Sequence, residues 1–85
     1  MKNNWLTYII CCSDKSLYTG VTTDINRRLA EHNSGKGAKY TRSRRPVFLM
    51  ALRDGMTRSQ ACKLEAAVKK AHKLDKVKTL ASTRV

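Results

Sequence analysis

Trp5-Leu6-Thr7-Tyr8-Ile9-Ile10-Cys11-Cys12, then Ser13-Asp14-Lys15-Ser16, then Leu17-Tyr18-Thr19-Gly20-Val21-Thr22 is the stretch on which the fold turns. The first and last blocks are rich in aromatic and β-branched residues, which fit a pleated surface. The middle block is a cluster of turn formers, so the three together predict a hairpin. Tyr8 and Tyr18 fall in its two strands. They share a face only if the turn holds an odd number of residues, such as Ser13-Asp14-Lys15. Gly20 weakens a strand unless another group must approach its backbone closely.

Downstream, Thr22-Thr23-Asp24 offers N-cap side chains for a helix running to about Asn33 and stopping at Ser34-Gly35. Ile25 and Leu29, four apart, would face the sheet. Gly35 to Arg45 has no apolar period and reads as a loop. Pro46 opens the apolar run Val47 to Leu52, a third strand ending at Asp54-Gly55. Thr57-Arg58-Ser59-Gln60 matches a capping box, and Ala61, Leu64, Val68 and Ala71 continue as an amphipathic stripe. That helix is expected to end near Leu74, with Asp75 capping a further short helix carrying Val77 and Leu80, one continuous helix being the alternative. The expected architecture is one α+β domain over residues 1–85, in the order β-β-α-β-α(-α). Its sheet is three-stranded, mainly antiparallel and flanked by helices.

Charge narrows the function classes. Eighteen Lys and Arg stand against six Asp and Glu, a formal net charge of +12 over 85 residues. Such a surface suits a polyanionic partner, and nucleic acid fits better than a membrane surface. No stretch is apolar for long enough to span a bilayer, and the opening lacks a signal-peptide pattern. Cys11, Cys12 and Cys62 form neither a C-x-x-C pair nor an even framework, so buried free thiols in a reducing cytoplasm are expected.

Several side chains could carry chemistry. Arg28 and His32 are four apart on one helix face and border the sheet-facing stripe. A guanidinium there can hold a phosphate in a fork, and an imidazole can orient or accept a proton near neutral pH. Both could equally be ordinary surface residues. Glu65 flanks the buried stripe of the second long helix, where a carboxylate either pairs with a cation or binds a hard metal. Lys36, Lys39, Arg42, Arg44 and Arg45 place five positive charges and no acid between Gly35 and Arg45. With Tyr40 among them, the run suits phosphate contacts and stacking on an exposed base.

In order and spacing these residues resemble the GIY-YIG nuclease superfamily, over roughly residues 5 to 75, and in particular its short stand-alone bacterial branch. Leu6-Thr7-Tyr8 stands where Gly-Ile-Tyr would be, and Tyr18-Thr19-Gly20 where Tyr-Ile-Gly would be. Arg28 and His32 follow Tyr18 by ten and fourteen residues, and Glu65 within Leu64-Glu65-Ala66-Ala67-Val68-Lys69 matches the acidic motif. The resemblance implies an endonuclease that hydrolyses phosphodiester bonds, in DNA rather than RNA, in repair or recombination. It implies one divalent metal, Mg or Mn, on Glu65. Catalytic roles fall to Tyr8, Tyr18, Arg28 and His32, with Gly20 as a structural motif residue. A protein partner would supply target choice. Two departures stand out: Leu6 replaces the motif glycine, and no asparagine follows Asn33, where many superfamily nucleases carry one after the glutamate. A catalytically weak nucleic-acid-binding module of the same fold is the alternative reading.

Overall fold

The computed structural model describes residues 3–85, so the first two positions of the expected domain lie outside it. The strand β1 (Trp5–Cys11) pairs antiparallel with β2 (Leu17–Thr22) on one side and β3 (Phe48–Met56) on the other, giving the order β2-β1-β3. The hairpin turn is three residues long. The Cys12 amide donates to the Ser16 carbonyl at 2.8 Å, the Lys15 amide donates to the Cys12 carbonyl at 3.0 Å, and Lys15 takes φ +71°. The odd count sets the register, with Tyr8 opposite Gly20 and Ile10 opposite Tyr18. Tyr8 and Tyr18 therefore share a face.

As the central strand, β1 is buried on both sides and supplies two cores. Leu6, Tyr8, Ile10 and Cys12 point to one layer, with Val47 and with Ile25 and Leu29 of α1 (Ile25–Asn33). Ile9 points to the other layer. It packs with Met56, with Ala61, Leu64 and Val68 of α3 (Arg58–Lys70), and with Leu80 of α4 (Lys76–Ser82). Thr7 faces this second layer, where its hydroxyl donates to the Ala61 carbonyl at 2.8 Å. Both helix starts are capped as the sequence predicts. The Asp24 carboxylate accepts from the Arg27 amide, and Thr57 and Gln60 form the reciprocal capping box.

Three expectations about boundaries are corrected. The segment Gly35 to Arg45 is not all loop, because Lys39–Arg42 forms a short helix, α2, whose Thr41 hydroxyl donates back to the Ala38 carbonyl. The third strand begins at Phe48 and does not stop at Asp54-Gly55. Gly55 takes φ +75°, a conformation glycine accepts freely, and the shifted register brings Met56 opposite Trp5 and into the core. The second long helix ends at Lys70, short of Leu74. The Lys76 ammonium donates to the Val68 and Lys69 carbonyls at its end, and the His72 ring caps a 3-10 turn over Lys73–Asp75. Asp75 occupies the N-cap position of α4 without a side-chain bond.

Along β3, Phe48, Leu49, Met50 and Leu52 remain exposed on a strand whose outer edge pairs with no other strand among the described residues. No helix among those residues is long and apolar enough to cross a membrane.

Leu64 has no exposed surface and sits at the centre of the second core. Leu64→Ala is expected to lower stability by roughly 2–5 kcal/mol, read from the urea unfolding midpoint. A much smaller loss would mean that α3 settles onto the sheet to fill the gap.

Candidate active site

The Tyr8 side chain is buried and crosses directly over Gly20 of the neighbouring strand. A Cβ at Gly20 would come within 2.5 Å of the Tyr8 hydroxyl oxygen, so this is the close approach that the glycine permits. The Tyr8 hydroxyl lies 2.9 Å from Nε2 of His32, which α1 carries on its last turn with no exposed surface. Nδ1 of His32 lies 2.8 Å from the Thr41 hydroxyl oxygen.

These bonds favour one placement of the protons. The Thr41 hydroxyl has one hydrogen, and it is directed at the Ala38 carbonyl at 3.0 Å. With its hydrogen so placed, Thr41 accepts from His32, which assigns the ring hydrogen to Nδ1. In a neutral ring Nε2 is then a lone pair, and the Tyr8 hydroxyl donates to it. Burial keeps the ring neutral by pushing the His32 pKa down. Nearby Arg28 adds to the depression, and Glu31 opposes it.

Around this pair the other candidates take distinct places. Tyr18 meets the His32 ring edge-on, at 5.4 Å between centroids. Arg28 lies beside Tyr8 and forms an ion pair with Glu31 at 3.0 Å. Glu65 belongs to α3, in the opposite layer, yet its charge reaches Tyr8. Burial raises the Tyr8 pKa most, Arg28 pulls it back, and Tyr18 and Glu65 add to the rise. The two layers meet along β2, against which α3 also packs.

The basic segment divides into two groups. Tyr40 stacks on Tyr18 at 5.9 Å, and the Arg44 guanidinium covers the Tyr40 ring at 3.9 Å while pairing with Asp14 at 3.0 Å. These two residues tie the segment to the hairpin. Arg45 donates to the Arg42 and Asn33 carbonyls and, with Arg42, lines an open cleft. Lys36, Lys39 and Arg42 make none of the ion pairs found among the described residues.

Sequence reasoning misses two contributors. Thr41, wholly buried, falls in a run whose composition suits a solvated loop, and only its distance to His32 shows otherwise. Asn33 joins the end of α1 to the residue just before β3 through a two-point amide contact with the Val47 backbone, at 2.8 and 3.1 Å. The helix stop at Ser34 gives no hint of that bridge.

The sequence profile of the GIY-YIG catalytic domain matches residues 4–78. The chain belongs to the GIY-YIG family. Its fold is of the nuclease type. Among curated proteins, the chain is 56% identical over 66 residues to a UPF0213 protein of Desulfotalea psychrophila, covering 76% of this chain and 60% of that protein. It is 56% identical over 63 residues to the UPF0213 protein YsiG of Lactococcus lactis, covering 74% of this chain and 61% of the relative. The chain thus spans about three-fifths of the length of these relatives. Among solved structures, the solution NMR structure of an E. faecalis protein is similar with a TM-score of 0.63 at 46% identity, covering 96% of this chain and 90% of that one. The UPF0213 protein of Bacillus halodurans gives 0.55 at 42% identity, covering 91% and 82%.

Members of the GIY-YIG family generally use a divalent metal. Among the described residues, no three His, Cys, Asp or Glu side chains gather as a ligand group. Glu65 is a single, partly exposed carboxylate, paired at 3.3 Å with the more exposed Lys69. That fits an ion that keeps most of its waters and takes one protein carboxylate, the habit of magnesium.

His32 also makes stability depend on pH. Its folded pKa lies below the ordinary value near 6.5, so the unfolded chain takes up the proton first as acid is added. Stability is full above that value and declines as pH falls through and below it. Urea midpoints measured from pH 7.5 to 5.5 are expected to fall for the wild-type chain. In His32→Gln, whatever its absolute stability, that fall should be largely absent. The titratable groups around the ring are Tyr8, Tyr18, Arg28 and Glu31.

Proposed function

We propose that the chain is a metal-assisted phosphodiesterase that cuts the nucleic-acid backbone by attack of water. The observation that carries this reading is the buried Tyr8–His32 hydrogen bond at 2.9 Å with the Arg28 guanidinium beside it. Tyr8 alone is a poor base, since burial favours its protonated form. Its proton is directed at a neutral imidazole, however, and that permits a relay. As the attacking water gives its proton to the Tyr8 oxygen, Tyr8 passes its own to Nε2 of His32, leaving an imidazolium while the water oxygen bonds to phosphorus and the bond from phosphorus to the leaving oxygen breaks. Tyr18, edge-on to His32, limits water access to the ring. Arg28 stabilises the charge that builds on the phosphate oxygens. Glu65 would hold a magnesium or manganese ion, which supplies charge stabilisation at the scissile phosphate and leaving oxygen.

Lys36, Lys39 and Arg42 would track the phosphate backbone, with Arg45 at the adjacent cleft. Tyr40 and Arg44 would contribute mainly by holding the segment in place. DNA is the polymer placed first, with repair or recombination as the setting, a preference that rests on family likeness. A protein partner would direct the domain to its target. A cytoplasmic location fits the three free cysteines, of which only Cys12 is buried as expected, Cys11 being half-buried and Cys62 exposed on α3. The Glu65–Lys69 pair favours a second reading, in which the carboxylate is already neutralised and the domain binds nucleic acid without cutting it.

The test is cleavage of single-stranded, duplex and branched DNA and RNA in magnesium or manganese. Metal-dependent cutting is expected, lost in Glu65→Ala and reduced on the order of 10²–10³-fold in Arg28→Ala, with most of the binding retained. Binding without cutting in either metal would favour the second reading. Under both readings, replacing Lys36, Lys39 and Arg42 together by Ala should weaken binding. It should also flatten the log-log salt slope by about 0.9 for each duplex phosphate that the variant no longer neutralises. An unchanged slope would remove this segment from the interface.

A further inference from the structure

Thr41 is a polar side chain with no exposed surface, in a four-residue helix that the apolar pattern does not call for. Its hydroxyl donates to the Ala38 carbonyl at 3.0 Å and lies 2.8 Å from Nδ1 of His32, from which it is then placed to accept. Gly37 lies against the same ring. A Cβ at that position would overlap both Nδ1 and the His32 backbone, so glycine allows the segment to close over the histidine. Tyr40, the residue before Thr41, stacks on Tyr18 beneath Arg44 and so ties the short helix to the hairpin.

We propose that Thr41 is a positioning residue, which holds His32 as the Nδ1–H tautomer and so keeps Nε2 open to receive the Tyr8 proton. The inference rests on the relay described above for its catalytic meaning, but its structural content stands apart from cleavage. A neutral imidazole has two tautomers, and the partner of one nitrogen decides which is present. With an apolar side chain in place of the Thr41 hydroxyl, Nδ1–H would be buried without an acceptor, a cost the ring can avoid by moving its hydrogen to Nε2. Tyr8 would then have to accept from His32 and turn its own proton outward. The relay would be blocked while every side chain that touches substrate remained in place.

The experiment compares the wild-type chain with Thr41→Val, which is nearly isosteric, and Thr41→Ser, which restores the hydroxyl. Long-range proton–nitrogen NMR of the His32 ring reports the tautomer directly. Wild type and Thr41→Ser are expected to show Nδ1–H, and Thr41→Val a shift toward Nε2–H. Cleavage should fall about a hundredfold in Thr41→Val, the scale of a lost proton-transfer group, and return to within a few-fold of wild type in Thr41→Ser. An Nε2–H ring in the wild-type chain would overturn the proposal without any variant, which covers the case of a Val variant that does not fold. A folded Thr41→Val that keeps the Nδ1–H ring would overturn it equally. A wild-type chain that cuts nothing but shows the expected tautomer shift would count against the nuclease reading and leave the positioning role supported.

Discussion

A phenol hydroxyl placed in an apolar layer must find a partner, because an unsatisfied buried polar group costs on the order of 1–3 kcal/mol. Tyr8 is in that position. It lies on the central strand, in a layer with Leu6, Ile10, Cys12 and Val47. Its hydroxyl is satisfied by His32, whose far nitrogen is satisfied by Thr41, whose own hydrogen is satisfied by the Ala38 carbonyl. No buried side-chain nitrogen or oxygen among the described residues lacks a partner. The chain of bonds joins strand, helix and connecting segment, and it accounts for much of what surrounds it. Gly20 is bare so that the ring can lie flat, and Gly37 is bare so that the segment can close.

The same arrangement explains how so small a domain can hold reactive groups steady. Proton transfer needs donor and acceptor fixed within a few tenths of an ångström, and precise sites rest on rigid elements rather than free loops. Tyr8 comes from a strand buried on both faces, and His32 from a helix whose end is bound by Asn33 to the residue just before β3. Glu65 comes from the opposite layer. The metal-binding carboxylate proposed for this site is therefore placed independently of the proton relay, by the packing of Leu64 and Val68 on either side of it in sequence.

Much of this is legible in the sequence, and the reasons it is not all legible are specific. Hairpin, caps and core stripes can be read because they depend on local chemistry: a turn cluster, Asp24, the Thr57–Gln60 box and the spacing of Ala61, Leu64 and Val68. An odd turn length is the condition for Tyr8 and Tyr18 to share a face, and the three-residue turn meets it. What local patterns do not show are contacts made at a distance. Thr41 is polar and lies in a basic run, so only its bond to a residue nine positions earlier reveals it as interior. The helix end at Lys70 is set by Lys76, six residues on, and the strand runs past Asp54-Gly55 because Met56 finds a place beside Trp5. By composition Tyr40 and Arg44 are free to meet a ligand, but in the fold they are engaged with Tyr18 and Asp14.

The outer edge of β3 carries Phe48, Leu49, Met50 and Leu52 in the open, the kind of strand onto which another chain can add itself. It has no proline along those positions, and its one irregularity there is a register shift at Met50. What it has is the charge of the whole chain, +12 on every copy. Electrostatic repulsion acts over about 8–10 Å at moderate salt, farther than a hydrogen bond can reach, so two copies resist approach before their edges can meet. The surplus of lysine and arginine thus has a colloidal role besides any attraction to phosphate. It is the protection an apolar edge would otherwise need from its own sequence, and it weakens wherever salt or a bound polyanion screens it.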